Sequence, residues 1–257
     1  QAVVEATSES TYFYLYGATE TNFDTKAVWV RNHVLAPDDL DAETMQQGQP
    51  PTNPAAFCQH ANGLGPLSSD RLVVTWLPEG NGASLFQDTE LLAIIPPWSG
   101  VDGFYGYAKE AIGNGPVAWE LSPDNQLLER FQRARDYWTA WEQKELWSQV
   151  QTDLLAKLES TYGPHDKYFA IDGGHWPPKA LVQVPTQGGT ILFTVGVCLS
   201  PQPNVELATE TFEMLHRIEL ATVLPTSWSE EAVQGFASFL SGESNLPWDQ
   251  YTWLGPG

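Results

Sequence analysis

The stretch GGTILFTVGVCLSPQPNVELATETFEMLHRIELATVL, residues 188–224, decides the fold class. A glycine turn opens it, and the apolar, β-branched run that follows predicts a buried strand over 190–199. A proline-punctuated loop comes next. A second run of the same kind then predicts a strand over 215–224. We therefore expect two strands of a sheet with an irregular loop between them.

The segment from residue 122 to residue 162 has a helical period instead. Ser122-Pro123-Asp124 supplies an N-cap, a proline for the first turn and a carboxylate near the positive end of the helix dipole. Apolar residues then recur every three or four positions, break over 142–145 and resume in another phase, which predicts two helices or one bent helix. The two stripes are Leu127, Phe131, Ala134, Trp138 and Trp141, followed by Trp147, Val150, Leu154 and Leu158.

Strand signals lie on both sides of these helices, at 12–16, 27–30, 71–77, 91–95, 168–171 and 180–184. A last helix is predicted over 229–240, capped by Ser229, with a buried face of Ala232, Val233, Phe236, Phe239 and Leu240. The pattern predicts an α+β fold with mixed, mainly antiparallel sheets flanked by helices, in two sub-domains. We expect an N-terminal α+β module over residues 1–121, a connecting helix over 122–145 and a second domain over 146–257.

The charge of the chain limits its partners. The 257 residues contain 12 lysines and arginines against 32 aspartates and glutamates, a formal net charge of −20. Such a field repels nucleic-acid phosphates and anionic membranes, and it attracts a basic protein. It is also what an acidic surface selected for solubility alone would show. We expect no nucleic acid and no membrane among the partners.

The two cysteines, Cys58 and Cys198, form no CxxC pattern and no disulfide framework. Cys198 lies within a predicted apolar strand, where a thiol behaves as a small hydrophobic group. This cysteine usage predicts a reducing, cytoplasmic location. No motif for a cofactor is present, and none is expected.

Two motifs carry a resemblance to a known family. Thr194-Val-Gly-Val-Cys-Leu-Ser200 and Arg217-Ile-Glu-Leu-Ala-Thr-Val-Leu-Pro225 resemble the core signatures of the suppressor of fused domain family, which read T-x-G-M-S and R-x-E-L. The resemblance covers about residues 146–257, from the helix that ends at Tyr162-Gly-Pro164 to the closing segment 251–257. Val197-Cys198 departs from the family pattern, in which Met and Ser are frequent.

This resemblance implies a binding protein rather than an enzyme. Animal members of the family sequester a transcription factor through a short peptide. Bacterial members are regarded as immunity proteins that neutralise a toxin by direct contact. The expected function is therefore to sequester or neutralise a protein partner, here as a bacterial immunity protein, and an exposed sheet edge could accept a strand of that partner.

Five residues are candidates for contact with the partner: Glu206, Glu210, Glu213, Arg217 and Glu219. The three glutamates form an acidic run that is either a solvated surface or a docking patch for a basic partner. Arg217 and Glu219 lie two residues apart, so they share one face of the predicted strand. There they would contact the partner or form an ion pair across the sheet.

A His/Asp cluster supports an alternative function, that of a metal-dependent hydrolase. Two histidines ten residues apart, with carboxylates between them and a third histidine from a neighbouring strand, could ligate a divalent cation. The candidates are His165, Asp172, His175 and His216. Equally, the aspartates could cap turns around Gly173-Gly174. A structural scaffold that neutralises no partner is a third hypothesis.

Overall fold

A computed structural model describes residues 1–17, 25–122, 127–175, 177–248 and 253–255, with only the backbone of Lys144. The fold is α+β, with helices and three sheets in which nearly all neighbouring strands are antiparallel. The chain divides into two compact units, Gln1–Arg135 and Asp136–Gly257. The division falls inside helix α2 (Leu127–Trp141), within the segment where the sequence predicts a connecting helix.

The first unit contains two sheets. Three antiparallel strands in the order β1-β2-β3 form one sheet, and five strands in the order β4 to β8 form the other. The last pair of the larger sheet, β7 and β8, is parallel. The strands are β1 (Ala2–Ala6), β2 (Ser10–Tyr16), β3 (Thr25–Asn32), β4 (Leu72–Trp76), β5 (Ala83–Gln87), β6 (Glu90–Ile95), β7 (Tyr107–Ala108) and β8 (Trp119–Glu120).

The core of this unit lies around the central strand β2 and its neighbour β3, where Phe13, Val28 and Trp29 are buried. The polar stretch 37–66 includes the short helix α1 (Ala42–Gln46). It is tied to the core by side chains, because the Tyr12 hydroxyl donates to the Pro51 carbonyl at 2.7 Å. Asn32 Nδ2 likewise donates to the Asn53 carbonyl at 2.8 Å.

In the described part of the second unit, an antiparallel sheet lies between two of the helices. The strands β9 (Lys167–Ala170), β10 (Ala180–Thr186), β11 (Gly189–Val195) and β12 (Ala221–Pro225) pair in the order β12-β11-β10-β9. Helix α3 (Lys144–Tyr162) packs on the face that carries Val182, and helix α6 (Glu230–Glu243) packs on the opposite face, on Leu181. The alternation of side chains along β10 therefore fills both layers.

The two strands predicted in the opening stretch are shorter than expected. β11 ends at Val195, because Gly196 takes φ 104° and turns the chain into a 3₁₀ turn at Val197–Leu199. Cys198 therefore lies in a turn and not inside a strand. The predicted strand 215–224 is wrong in its first six residues, since Leu215 ends helix α5 (Phe212–Leu215) and β12 begins at Ala221.

The helix predictions are mostly confirmed. α2 ends at Trp141 and α3 begins at Lys144, so the phase break does separate two helices. The predicted helix start falls on Pro123 and Asp124, which lie outside the described residues. In the part of the chain that the structure describes, no helix has the length and apolar character needed to cross a membrane.

Helix α6 is capped as predicted, because Ser229 Oγ accepts a hydrogen bond from the Ala232 amide at 3.3 Å. Its buried residues are Val233, Ala237 and Leu240. The prediction that Ala232 and Phe239 are buried is wrong, since both are exposed.

Candidate functional site

The two signature motifs meet through the carboxylate of Glu219. Its Oε2 accepts a hydrogen bond from Thr194 Oγ1 at 2.7 Å. Its Oε1 accepts from the backbone amides of Gly196 at 2.8 Å and Cys198 at 3.2 Å. The Leu220 amide in turn donates to Thr194 Oγ1 at 2.7 Å. Glu219 thus satisfies amide groups that the end of β11 leaves without ladder partners.

The protonation of this cluster is shifted by its burial. Burial raises the pKa of the Glu219 carboxyl above its ordinary value, although the hydrogen bonds that it accepts act in the opposite direction. Burial also raises the pKa of the Cys198 thiol to about 12, and the Glu219 carboxylate adds to that shift. This shift favours the protonated form of the Cys198 thiol at neutral pH.

Arg217 holds the other side of the same turn. One of its terminal nitrogens donates to the carbonyl oxygens of Cys198 and Leu199, both at 2.8 Å. The guanidinium lies 5.7 Å from the ring centroid of Tyr137, whose hydroxyl also donates to the Leu199 carbonyl at 2.7 Å. Arg217 and Glu219 lie ahead of β12, so the prediction that they share a strand face is wrong. We define Arg217, Glu219 and the turn 196–199 that they bind as the clamp.

The chain between the two parts of the clamp, the turn 196–199 and Arg217, contains the acidic loop, which we define as residues 204–216. It contains helix α4 (Val205–Ala208) and helix α5 (Phe212–Leu215). Val205, the first residue of α4, is buried. Gln202, just before the loop, is bound to the end of the loop. Its backbone amide donates to the His216 carbonyl at 2.7 Å, and its side-chain amide donates to the Leu215 carbonyl at 3.1 Å.

The outer surface of the acidic loop is both apolar and acidic. Met214 is 83% exposed and Leu207 is 58% exposed. Glu210 and Glu213 are exposed beside them, and Glu206 is half-buried in α4. The sequence 204–216 contains no lysine or arginine. A surface of this kind can bind a segment that offers both apolar and basic side chains.

The His/Asp cluster is distributed over separate contacts. His165 Nδ1 lies 2.6 Å from Glu159 Oε1 on α3. Asp172 accepts from the backbone amides of Gly174 at 2.6 Å and Lys179 at 3.1 Å, as expected of a turn-capping aspartate. His175 follows in that turn and is exposed, whereas His216 ends α5. Within the described ranges, no three His, Cys, Asp or Glu side chains are grouped so as to hold a metal ion.

A histidine and a buried glutamate of the first unit form a pair that no sequence motif predicts. His60 Nδ1 lies 2.5 Å from Glu110 Oε2, and the Glu110 side chain is buried whereas that of His60 is half exposed. Burial raises the pKa of the neighbouring Cys58 thiol to about 11, and Glu110 adds to the shift. The two partners are fifty residues apart and belong to no motif, so the sequence held no signal for them. This shift favours the protonated form of the Cys58 thiol at neutral pH.

Comparison with known proteins adds no assignment. A scan of the chain against protein-family models finds no match. A search of curated proteins finds no match either. A search of solved structures likewise finds none.

Proposed function

We propose that this protein binds a basic protein partner through the acidic loop and sequesters it, as an immunity protein does with a toxin. The observation that carries the proposal is the exposure of Met214 and Leu207 beside the carboxylates of Glu210 and Glu213. A contiguous exposed apolar surface marks a protein-interaction site, and the exposure of both side chains on one short loop supports that interpretation. The resemblance of the two signature motifs to suppressor of fused proteins supports the same function.

The two kinds of side chain have different tasks. Burial of Met214 and Leu207 against the partner supplies affinity, because desolvated apolar anchors dominate binding energies. The carboxylates and the net charge of −20 raise the rate at which a basic partner arrives, an effect that salt weakens. Arg217 and Glu219 fix the turn from which the acidic loop departs, through hydrogen bonds to its backbone.

We do not extend the proposal to metal-dependent hydrolysis. Among the described residues, His165 is bound by Glu159, and Asp172 is bound by backbone amides. These contacts favour structural roles for both residues. We propose a cytoplasmic location, which the two free thiols of Cys58 and Cys198 support.

The test is affinity capture from the native cell with matched variants. Wild type is expected to retain a basic protein at physiological salt, and Met214→Ser is expected to lose it. Val101→Ser, which changes an exposed valine of the first unit, is the control and is expected to retain it. The captured protein is then purified, and one equivalent of wild type is expected to abolish its activity.

A second set of variants separates the effect of charge on the association rate from the effect of apolar contacts on affinity. The double variant Glu210→Gln/Glu213→Gln is expected to slow association about tenfold at low salt. The control Glu142→Gln/Glu145→Gln removes two exposed carboxylates elsewhere and is expected to change the rate much less. Retention of the same protein by Met214→Ser would refute the acidic loop as the binding surface. Capture of nothing by wild type would favour the scaffold hypothesis.

A further inference from the structure

Helix α6 and the turn before it carry an aromatic patch that is partly exposed. Phe239 is 56% exposed and Trp228 is 40% exposed. The rings of Trp228 and Phe236 lie 5.9 Å apart between centroids, and those of Phe236 and Phe239 lie 5.4 Å apart. We define these three residues as the aromatic patch. Val233, Ala237 and Leu240 fill the inner face of the helix and Phe236 packs against them, so Phe239 and Trp228 are the rings of the patch that lie outside this core cluster.

Two glycines lie on the same outer face. A Cβ atom built on Gly235 or Gly242 would meet nothing within 4 Å, so no packing inside the chain requires a glycine at either position. A glycine in a helix costs about 1 kcal/mol relative to alanine. Missing side chains let the axis of a second helix approach closely, and Gly235 and Gly242 lie two turns apart along one line of α6.

The charge around this face of α6 indicates which kind of partner it can bind. Residues 226–248 contain three glutamates and no lysine or arginine. Glu230 is paired with Lys167 at 2.8 Å, which leaves Glu231 and Glu243 as exposed or half-exposed carboxylates at the two ends of the helix. A second copy of this chain is a poor occupant, because both copies carry a net charge of −20 and neither helix has a cation to offer.

We infer that the outer face of α6 binds an α-helix of a partner protein that has an apolar stripe flanked by arginine or lysine. The partner helix lies across Gly235 and Gly242 and buries Phe239. Its basic flanks pair with Glu231 and Glu243, and an arginine can stack on the exposed ring of Trp228. This surface is distinct from the acidic loop, so the inference goes beyond the proposed function and stands or falls separately.

The test uses two synthetic peptides of about 18 residues, or five helical turns. One has a leucine and alanine stripe with arginine flanks, and the other has the same composition in an order that abolishes the stripe. Fluorescence anisotropy at physiological salt is expected to show saturable binding of the striped peptide only. Phe239→Ser and Gly235→Gln are expected to weaken that binding at least about tenfold.

The variants also control for folding. Gly235→Gln is expected to raise the urea midpoint, because glutamine is a better helix former and its Cβ meets open space, so weaker binding cannot come from unfolding. Tyr162→Ser removes an exposed aromatic ring from the end of α3 and is expected to leave binding unchanged.

Four results would overturn the inference. They are equal binding of both peptides, no saturable binding of either, unchanged binding by Phe239→Ser, and loss of binding in Met214→Ser alone, which would move the contact to the acidic loop. Sedimentation that shows a wild-type dimer abolished by Phe239→Ser would also overturn it, because the occupant would then be a second copy.

Discussion

Thr194 and Glu219 are joined by a hydrogen bond of 2.7 Å that links the end of β11 to the segment before β12. The same carboxylate accepts from two backbone amides of the following turn. One side chain therefore performs, for three donors, the task that strand pairing performs elsewhere in the sheet.

Removal of that carboxylate should destabilise the second unit strongly. Glu219→Ala leaves the Gly196 and Cys198 amides without their acceptor and removes the shorter hydrogen bond of the Thr194 hydroxyl, and we expect a loss of about 2–4 kcal/mol in the free energy of unfolding. Urea denaturation measures it. Glu213→Ala, an exposed carboxylate in the acidic loop, is the control and should change stability by less than about 0.5 kcal/mol. Equal effects of the two substitutions would contradict the role given to Glu219.

The raised pKa of Glu219 predicts a pH dependence of defined sign. Its ordinary value is 4.5, and in the folded protein the pKa lies higher, so the folded state binds more protons in the range just above 4.5. Stability from this group therefore falls as pH rises through the folded pKa and becomes constant above it. Other carboxylates shift in the opposite direction, so the quantity to measure is the stability difference between wild type and Glu219→Gln. A difference that does not change with pH from 4 to 8, to within about 0.3 kcal/mol, would disprove the shift.

Both thiols should react slowly with iodoacetamide in the folded protein, because burial raises their pKa values to about 11 for Cys58 and about 12 for Cys198. Labelling at pH 8, followed by mass spectrometry of peptides, measures the two rates separately. Glu219→Gln should speed the reaction of Cys198 and leave that of Cys58 unchanged. Acceleration at both positions would indicate general unfolding instead.

Two glycine substitutions should shift stability in opposite directions. Gly189 has φ 149°, and a Cβ there would collide with the carbonyl oxygen of Leu224 on the neighbouring strand, so Gly189→Ala should cost at least about 2 kcal/mol. Gly235→Ala should instead stabilise the protein by about 1 kcal/mol. Thermal unfolding of both variants checks the pair. Stabilisation by Gly189→Ala would show that β11 and β12 are not as closely paired as described.

Sequence periodicity predicts the helices correctly, but it predicts a strand at residues 217–220 where the clamp lies. The phase change over 142–145 marked the break between α2 and α3, because each helix buries its own stripe. The residues 217–220 look like a strand by composition. They are not one because Glu219 binds amides more than twenty residues earlier, and no local pattern encodes such a contact.

The exposed Phe239 illustrates a different limit. It is apolar and next to Leu240, so composition favours burial. One residue step turns a helix by about 100°, which carries Phe239 away from the line of Val233, Ala237 and Leu240. The sequence predicts the acidic character of this loop from its glutamates alone. Exposure of Met214 could not be read from the sequence, because a methionine at that position is equally compatible with a core.

The clamp holds the ends of a loop whose length can vary at little cost in stability. The loop from residue 201 to residue 216 leaves and re-enters the fold at points held by Arg217, Glu219 and Gln202. Doubling the length of such a loop adds only about 0.6 kcal/mol of closure entropy. Changes in the length of the exposed part of this loop are therefore expected to leave the pairing of β11 with β12 intact.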